Sequence, residues 1–191
     1  MRKNRLTWIT VSLLIGMALL GQSAIAEPVS APATVEADNT QWSGFRYEFV
    51  TGATFMPRTS VVGWDYPGAG CVYVTSNAHE IINVPLSLPQ GARIDYLRIF
   101  FYDTSPQDSN AWITVYNGVG GFTDVTHVPS TEAAGYGTNV SGFVGHIVDN
   151  QSHAYVLNWQ PNEEGATMRL CGLRVAYRVP VDLTYLPIVT R

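Results

Sequence analysis

The chain has 191 residues and is acidic, with 11 Lys and Arg against 15 Asp and Glu, a formal net charge of −4. Residues 1–26 hold three of the basic residues and no acidic one; beyond them eight bases face fifteen acids, a net of −7, and no lysine remains. That balance offers no electrostatic footprint for nucleic acid or an anionic membrane surface, and both are set aside as partners.

The segment 1–26 reads as a cleaved signal peptide. Arg2, Lys3 and Arg5 precede a mostly apolar run over 6–20, and Ala24-Ile25-Ala26 is the small-x-small pattern before a cut. The apolar run is shorter than the ~20 residues of a membrane span. No cysteine lies near the cut, so nothing supports a lipid anchor. The mature chain is expected to begin near Glu27, to be secreted or held at the cell surface, and to carry no membrane span. Residues 27–41, rich in Pro, Ala, Ser and Thr, predict an extended, disordered leader. Residues 42–179, roughly 140 in number, suffice for one domain with a core of its own. Residues 180–191 form an apolar tail.

Within the domain, short alternating runs bounded by Gly, Pro, Asn, Asp or Ser predict strands over 45–49, 71–75, 81–88, 94–102, 112–116, 143–148, 154–159 and 168–179. No helical period of useful length appears. The expected fold is an all-β antiparallel β-sandwich, of jelly-roll or immunoglobulin-like kind. The stretch 82–103 is its centre. Ile82, Val84, Leu86 and Leu88 alternate with polar or turn residues, and Leu88-Pro89-Gln90-Gly91 supplies a turn. In the following strand Leu97, Ile99 and Phe101 share one face, with Tyr96, Arg98, Phe100 and Tyr102 on the other. Bulk on both faces demands cover on both, and three covers are expected to compete for the second face: the 42–49 region, the tail, or another protein chain. The glycine-rich stretch 118–142 lacks strong alternation and reads as a long loop excursion.

Cys71 and Cys171 are an even pair in a chain expected to be exported, which favours a disulfide. In the last strand Cys171 shares parity with Leu173, Val175 and Tyr177, so it is expected to point with the apolar set.

The runs GCVYVT, LPQGARIDYLRIFFYDTS, AWITVYNG, VDNQSHAYVLNW and LCGLRVAY resemble a group of exported bacterial proteins. The resemblance spans residues 45–177, and its most specific parts are an LPxGAxIxYLRxxFYD hairpin and a CGxRVAY last strand. It implies a small secreted all-β domain and nothing about chemistry. The closing YLPIVTR resembles apolar tails of other exported bacterial proteins.

Local catalytic motifs are missing. His79-Glu80-Ile81-Ile82-Asn83 misses the zinc-protease pattern because Asn83 replaces the second histidine, and the segment reads as a strand. His127, His146 and His153 are scattered, and no GxSxG elbow or phosphate loop is present. Any two of Asp65, Asp95, Asp124 and Asp149 are open as a carboxylate pair, with nothing to single one out. Asp103, Asp108 and Asn110 offer oxygens to calcium, but their spacing suits turn hydrogen bonds better; no metal or other cofactor is expected.

Two functional readings lead. The first is a non-enzymatic interaction protein, a homo-oligomer or one bound to another extracellular protein, using Tyr96, Arg98, Phe100 and Tyr102. The alternative is a carbohydrate-binding module that holds polysaccharide on Trp64, Tyr66, Trp112 and Tyr136. A secreted hydrolase comes third.

Overall fold

The computed structural model describes residues 40–131 and 135–181. The expected signal peptide, nearly all of the leader and all but the start of the tail lie outside them. The strands are β1 (Arg46–Thr51), β2 (Met56–Pro57), β3 (Gly63–Gly68), β4 (Cys71–Ser76), β5 (Ile82–Leu86) and β6 (Arg93–Asp103). They continue with β7 (Asn110–Asn117), β8 (Phe122–Pro129), β9 (Gly135–Val140), β10 (His146–Ile147), β11 (His153–Gln160) and β12 (Met168–Arg178). A single 3-10 turn, Gly52–Thr54, is the one helical element among the described residues.

The strands form two antiparallel sheets. The seven-stranded sheet runs β10-β6-β12-β4-β3, with β1 also on β12 and β9 also on β6; the five-stranded sheet runs β2-β5-β11-β7-β8. From β4 onward the chain changes sheet at every connection except β7 to β8 and β9 to β10. That alternation is jelly-roll winding rather than immunoglobulin-like hairpins.

The core lies between the sheets and follows period-two alternation. β6 contributes Ile94, Leu97, Ile99 and Phe101, and β12 contributes Met168, Leu170, Leu173 and Val175, all buried. Facing them are Ile82, Ile113, Leu157 and Trp159 from the five-stranded sheet. Each such side chain taken from water contributes about 1.5–3 kcal/mol, so this layer holds the domain together.

Several expectations are corrected. The Leu88–Gly91 turn does have Gly91 at a positive φ of 74°. It makes no hairpin, however: it carries the chain from the five-stranded sheet (β5) to the seven-stranded one (β6). The stretch 118–142 is no long loop but holds β8 and β9. Both are edge strands in which Gly, Thr, Asp, His and Asn interrupt the apolar positions, so their alternation is weak. The β7–β8 link is a short turn in which Asn117 Oδ1 accepts from the backbone of Val119 and Gly121. The expected strand over 143–148 shrinks to His146–Ile147. His79 and Glu80 lie in a turn before β5, not in a strand, with His79 at a φ of 75°.

Cys71 and Cys171 form a disulfide between neighbouring strands β4 and β12. The expected orientation of Cys171 is corrected by a β-bulge between Leu170 and Gly172. Leu170 and Leu173 both point into the core although three residues apart, so Cys171 is the extra residue and is only partly buried.

Asp103, at the end of β6, anchors a buried polar knot. Its carboxylate accepts from the Ser105 backbone (2.9 Å) and from Ser130 Oγ (2.8 Å), and Ser130 Oγ accepts from the Ser109 backbone (2.7 Å). This is turn chemistry. Neither Asp108 nor Asn110 joins it, and no group of three possible metal ligands occurs among the described residues. Burial pushes the Asp103 carboxyl up, outweighing the stabilising bond from Ser130.

Two outcomes follow. Replacing both cysteines by serine releases a loop closed over 100 residues, a loss of about 4–5 kcal/mol. Thermal denaturation should show Tm lower by roughly 10 °C or more; an unchanged Tm would contradict the role of the bridge. For Asp103, the folded chain keeps its proton at pH values where the unfolded chain has released it. Its contribution therefore declines as pH rises from about 4 through the raised folded value. Tm measured between about pH 3.5 and 6.5 for wild type and Asp103→Asn should show wild type losing ground to the variant with rising pH. A pH-independent difference would contradict this.

Candidate functional site

The outer face of the seven-stranded sheet is built from residues that alternate with the core. The ladders between β1, β12, β6 and β9 fix their rows. Phe49, Arg174, Arg98 and Val140 lie side by side in one row. Thr51, Gly172, Phe100 and Thr138 form the next, followed by Arg169, Tyr102 and Tyr136. On the other flank stand Tyr47, Ala176 and Tyr96. All four residues of the predicted interface, Tyr96, Arg98, Phe100 and Tyr102, therefore share one surface.

β1 does not lie over this face, contrary to one of the three expected covers. It joins the sheet beside β12 and adds its own rings, with Phe45, Tyr47 and Phe49 41%, 56% and 53% exposed. Phe49 meets Phe100 edge-on at 5.3 Å between centroids, and Tyr102 meets Tyr136 likewise at 5.0 Å. Tyr96 bridges Phe45 (6.1 Å) and Phe143 (5.9 Å). Rings are held by rings, on strands whose other side is core.

Arginines thread this aromatic array. Arg174 lies over Tyr47 (4.9 Å) and Phe100 (5.4 Å), Arg169 over Tyr102 (4.5 Å), and Arg178 over Phe45 (4.0 Å). Arg93 lies over Trp42 (4.5 Å). Contacts of this kind contribute about 0.5–1 kcal/mol each where exposed. At one end Asp95, 1% exposed, takes two of these cations. Arg93 Nε donates to Oδ1 at 2.6 Å, while Arg178 Nε sits 3.1 Å from Oδ2 without the alignment of a hydrogen bond. Two depressions open in the array. One of about 140 Å³ is lined by Tyr47, Tyr96, Arg98 and Arg174; one of about 440 Å³ lies between Phe49, Phe100 and Tyr136.

The predicted carbohydrate set is dispersed. Only Tyr136 belongs to this face. Trp64 and Tyr66 sit on β3 at the sheet edge, joined by a 2.9 Å bond from Trp64 Nε1 to the Tyr66 hydroxyl. Trp112 lies on the five-stranded sheet, stacked 6.2 Å from His127. The four candidate aspartates are each engaged elsewhere: Asp65 by Tyr73, Asp95 by Arg93, Asp124 by Thr114, and Asp149 by the Gln151 backbone. A depression of about 340 Å³ near the β7–β8 turn is lined by His146 and His153. Burial holds the His146 imidazole below its ordinary range, and its Nε2 lies 3.2 Å from the Tyr155 hydroxyl.

The sequence reading missed β1's outward rings, Arg174 and Gly172. Gly172 sits where Phe49 crosses β12: a Cβ there would fall 2.7 Å from Phe49 Cζ and 2.9 Å from the Val50 carbonyl oxygen. The glycine of the CGxR run is thus a seat for a ring.

No family model and no curated relative matches the chain. Solved structures do. A variant of a family 29 carbohydrate binding module has 12% identity over 70% of this chain and 87% of that one, with a TM-score of 0.44. The exo-beta-1,3-galactanase of Phanerochaete chrysosporium with galactose has 14% identity, 68% and 29% coverage, and a TM-score of 0.40. The isomalto-dextranase of Arthrobacter globiformis with panose has 12% identity, 68% and 23% coverage, and a TM-score of 0.43. This chain thus spans less than a third of either enzyme. Among the described residues no helix is long and apolar enough to cross a membrane.

Replacing Gly172 by Ala should displace the Phe49 ring and cost about 1–3 kcal/mol. Denaturant unfolding measures the loss, and the shifts of the Phe49 and Phe100 ring protons report the displacement. Unchanged stability and unchanged ring shifts would contradict the seat.

Proposed function

We propose that the protein binds polysaccharide on the outer face of the β1–β12–β6–β9 sheet. One observation carries this reading: Phe45 just before β1, and Tyr47 and Phe49 on it, project outward at alternate positions, 41%, 56% and 53% exposed, beside Tyr96, Phe100, Tyr102 and Tyr136. A sugar ring has an apolar C–H face that packs on an aromatic ring, while its hydroxyls need donors and acceptors at the margin. Tyrosine hydroxyls and guanidinium groups supply those here. The strands hold the rings before any ligand arrives, so little ordering is left to offset on binding. Depressions between the rings suit a narrow, extended polymer. Clustered exposed rings on one face mark a contact surface more than singly scattered ones do.

A protein–protein contact is the second reading, favoured by the same exposed Tyr, Phe and Arg, the residue types enriched at interfaces. Under that reading the face closes by self-association. Light scattering at high concentration separates the two: the polysaccharide role expects a monomer with its face free.

The direct test is affinity electrophoresis and calorimetry of the mature chain against a panel of plant, bacterial and algal polysaccharides. Binding should fall at least tenfold in Tyr47→Ala and in Phe49→Ala, since a stacked ring is worth about 1.4 kcal/mol or more. Tm should stay within a few degrees, because both rings lie outside the core. Trp112→Ala should leave binding unchanged. Loss of binding with Trp112→Ala alone would place the function on the other sheet and contradict the reading.

A further inference from the structure

Five of the eight arginines beyond residue 26 lie on this one face: Arg93, Arg98, Arg169, Arg174 and Arg178. Four of them stack on rings. Two of the five have an acid, and it is a single acid, Asp95. Arg98 and Arg174 are directly opposite each other across the β6–β12 ladder, both on the outward side. Neither has an ion pair among the described residues. Cross-strand pairs sit about 4.5–5.5 Å apart at Cβ, and like charges at that distance are unfavourable. Nothing in the fold requires this cost, since the positions face solvent.

We propose that the polysaccharide held here is a uronate polymer, with a sugar carboxylate received between Arg98 and Arg174. This rests on the polysaccharide-binding role proposed above. Both arginines line the same depression of about 140 Å³ with Tyr47 and Tyr96. Arg98 spends one donor on Thr138 Oγ1 at 2.9 Å, which fixes the plane of its fork; its other N–H groups remain for a ligand. Arg174 lies over the Tyr47 and Phe100 rings, at 4.9 and 5.4 Å from their centroids. Two guanidinium groups on directly paired residues offer the N–H donors that a planar carboxylate accepts on both oxygens. A uronate offers that group at the rim of the pyranose ring, where neighbouring aromatic rings take the ring face. Beyond residue 26 the chain carries a formal −7, which opposes a polyanion overall, so local binding depends on these clustered arginines. Net charge alone concealed the patch.

Calorimetry with polygalacturonate and with its methyl ester decides the matter, since the two share a backbone and differ in carboxylate charge. The acid form should bind at least tenfold more tightly, and added salt should narrow the gap. Arg98→Gln and Arg174→Gln should each remove most of that preference while Tm moves by no more than a few degrees, because relief of the like-charge opposition offsets part of the lost ring and Thr138 contacts. Arg98→Lys, which keeps the charge and loses the fork, should also lose most of it. Equal binding of acid and ester, both weakened by Tyr47→Ala, would overturn the uronate inference and leave the polysaccharide role standing. Dextran sulfate or single-stranded DNA binding as tightly as polygalacturonate would also overturn it, as charge without shape. Failure to bind any polysaccharide would overturn both.

Discussion

The ladder between β6 and β12 governs the molecule. Along it, inward positions are Ile, Leu, Phe, Met and Val at almost complete burial, and outward positions are Tyr, Arg, Phe, Ala and Gly. A pleated strand cannot bury both sides at once when its partner sheet covers only one. The inner set stabilises the sandwich, and the outer set is left to solvent or to a ligand. Four of the other five strands of the seven-stranded sheet pair directly with these two: β1 and β4 share the free edge of β12, while β9 and β10 share that of β6, and β3 follows on β4.

Rigidity of the outer face comes from beneath it. The disulfide ties β4 to β12 at the bulge, the Asp103 knot fixes the end of β6, and Asp95 holds Arg93 and Arg178 at the opposite end. Between these anchors the rings and guanidinium groups hold one another through edge contacts and cation–π contacts. The surface is therefore organised before binding, which lowers the ordering cost that a flexible aromatic loop would impose.

The division of β6 into two faces was legible because period-two alternation runs unbroken from Tyr96 to Tyr102. The disulfide was legible from cysteine count. Other features were hidden for physical reasons. The bulge at Cys171 breaks parity, so counting from Leu173 placed the cysteine on the wrong side. β8 and β9 are edge strands in which Gly, Thr, Asp, His and Asn interrupt the apolar positions, and composition there looks like loop. The turn before β6 has hairpin chemistry but leads between sheets, a choice set by which sheet buries Ile82 and Leu86. Arg174 stands out only once the register puts it opposite Arg98. The aromatics that the sequence assigns to carbohydrate are those it reads as in loops and at strand starts, of which only Tyr136 stands in the exposed array; Tyr96, Phe100 and Tyr102 read from sequence as a protein interface.

The central claim is that ligand meets the β1–β12–β6–β9 face. Titration of isotope-labelled mature protein with an oligogalacturonate, followed by amide and arginine side-chain NMR, tests it most directly. Shifts concentrated on Tyr47, Phe49, Arg98, Arg174 and Tyr136, with the Arg98 and Arg174 Nε signals moving most, are the predicted result. Shifts clustered instead around Trp112, His127 and Asn158 on the five-stranded sheet would contradict the account.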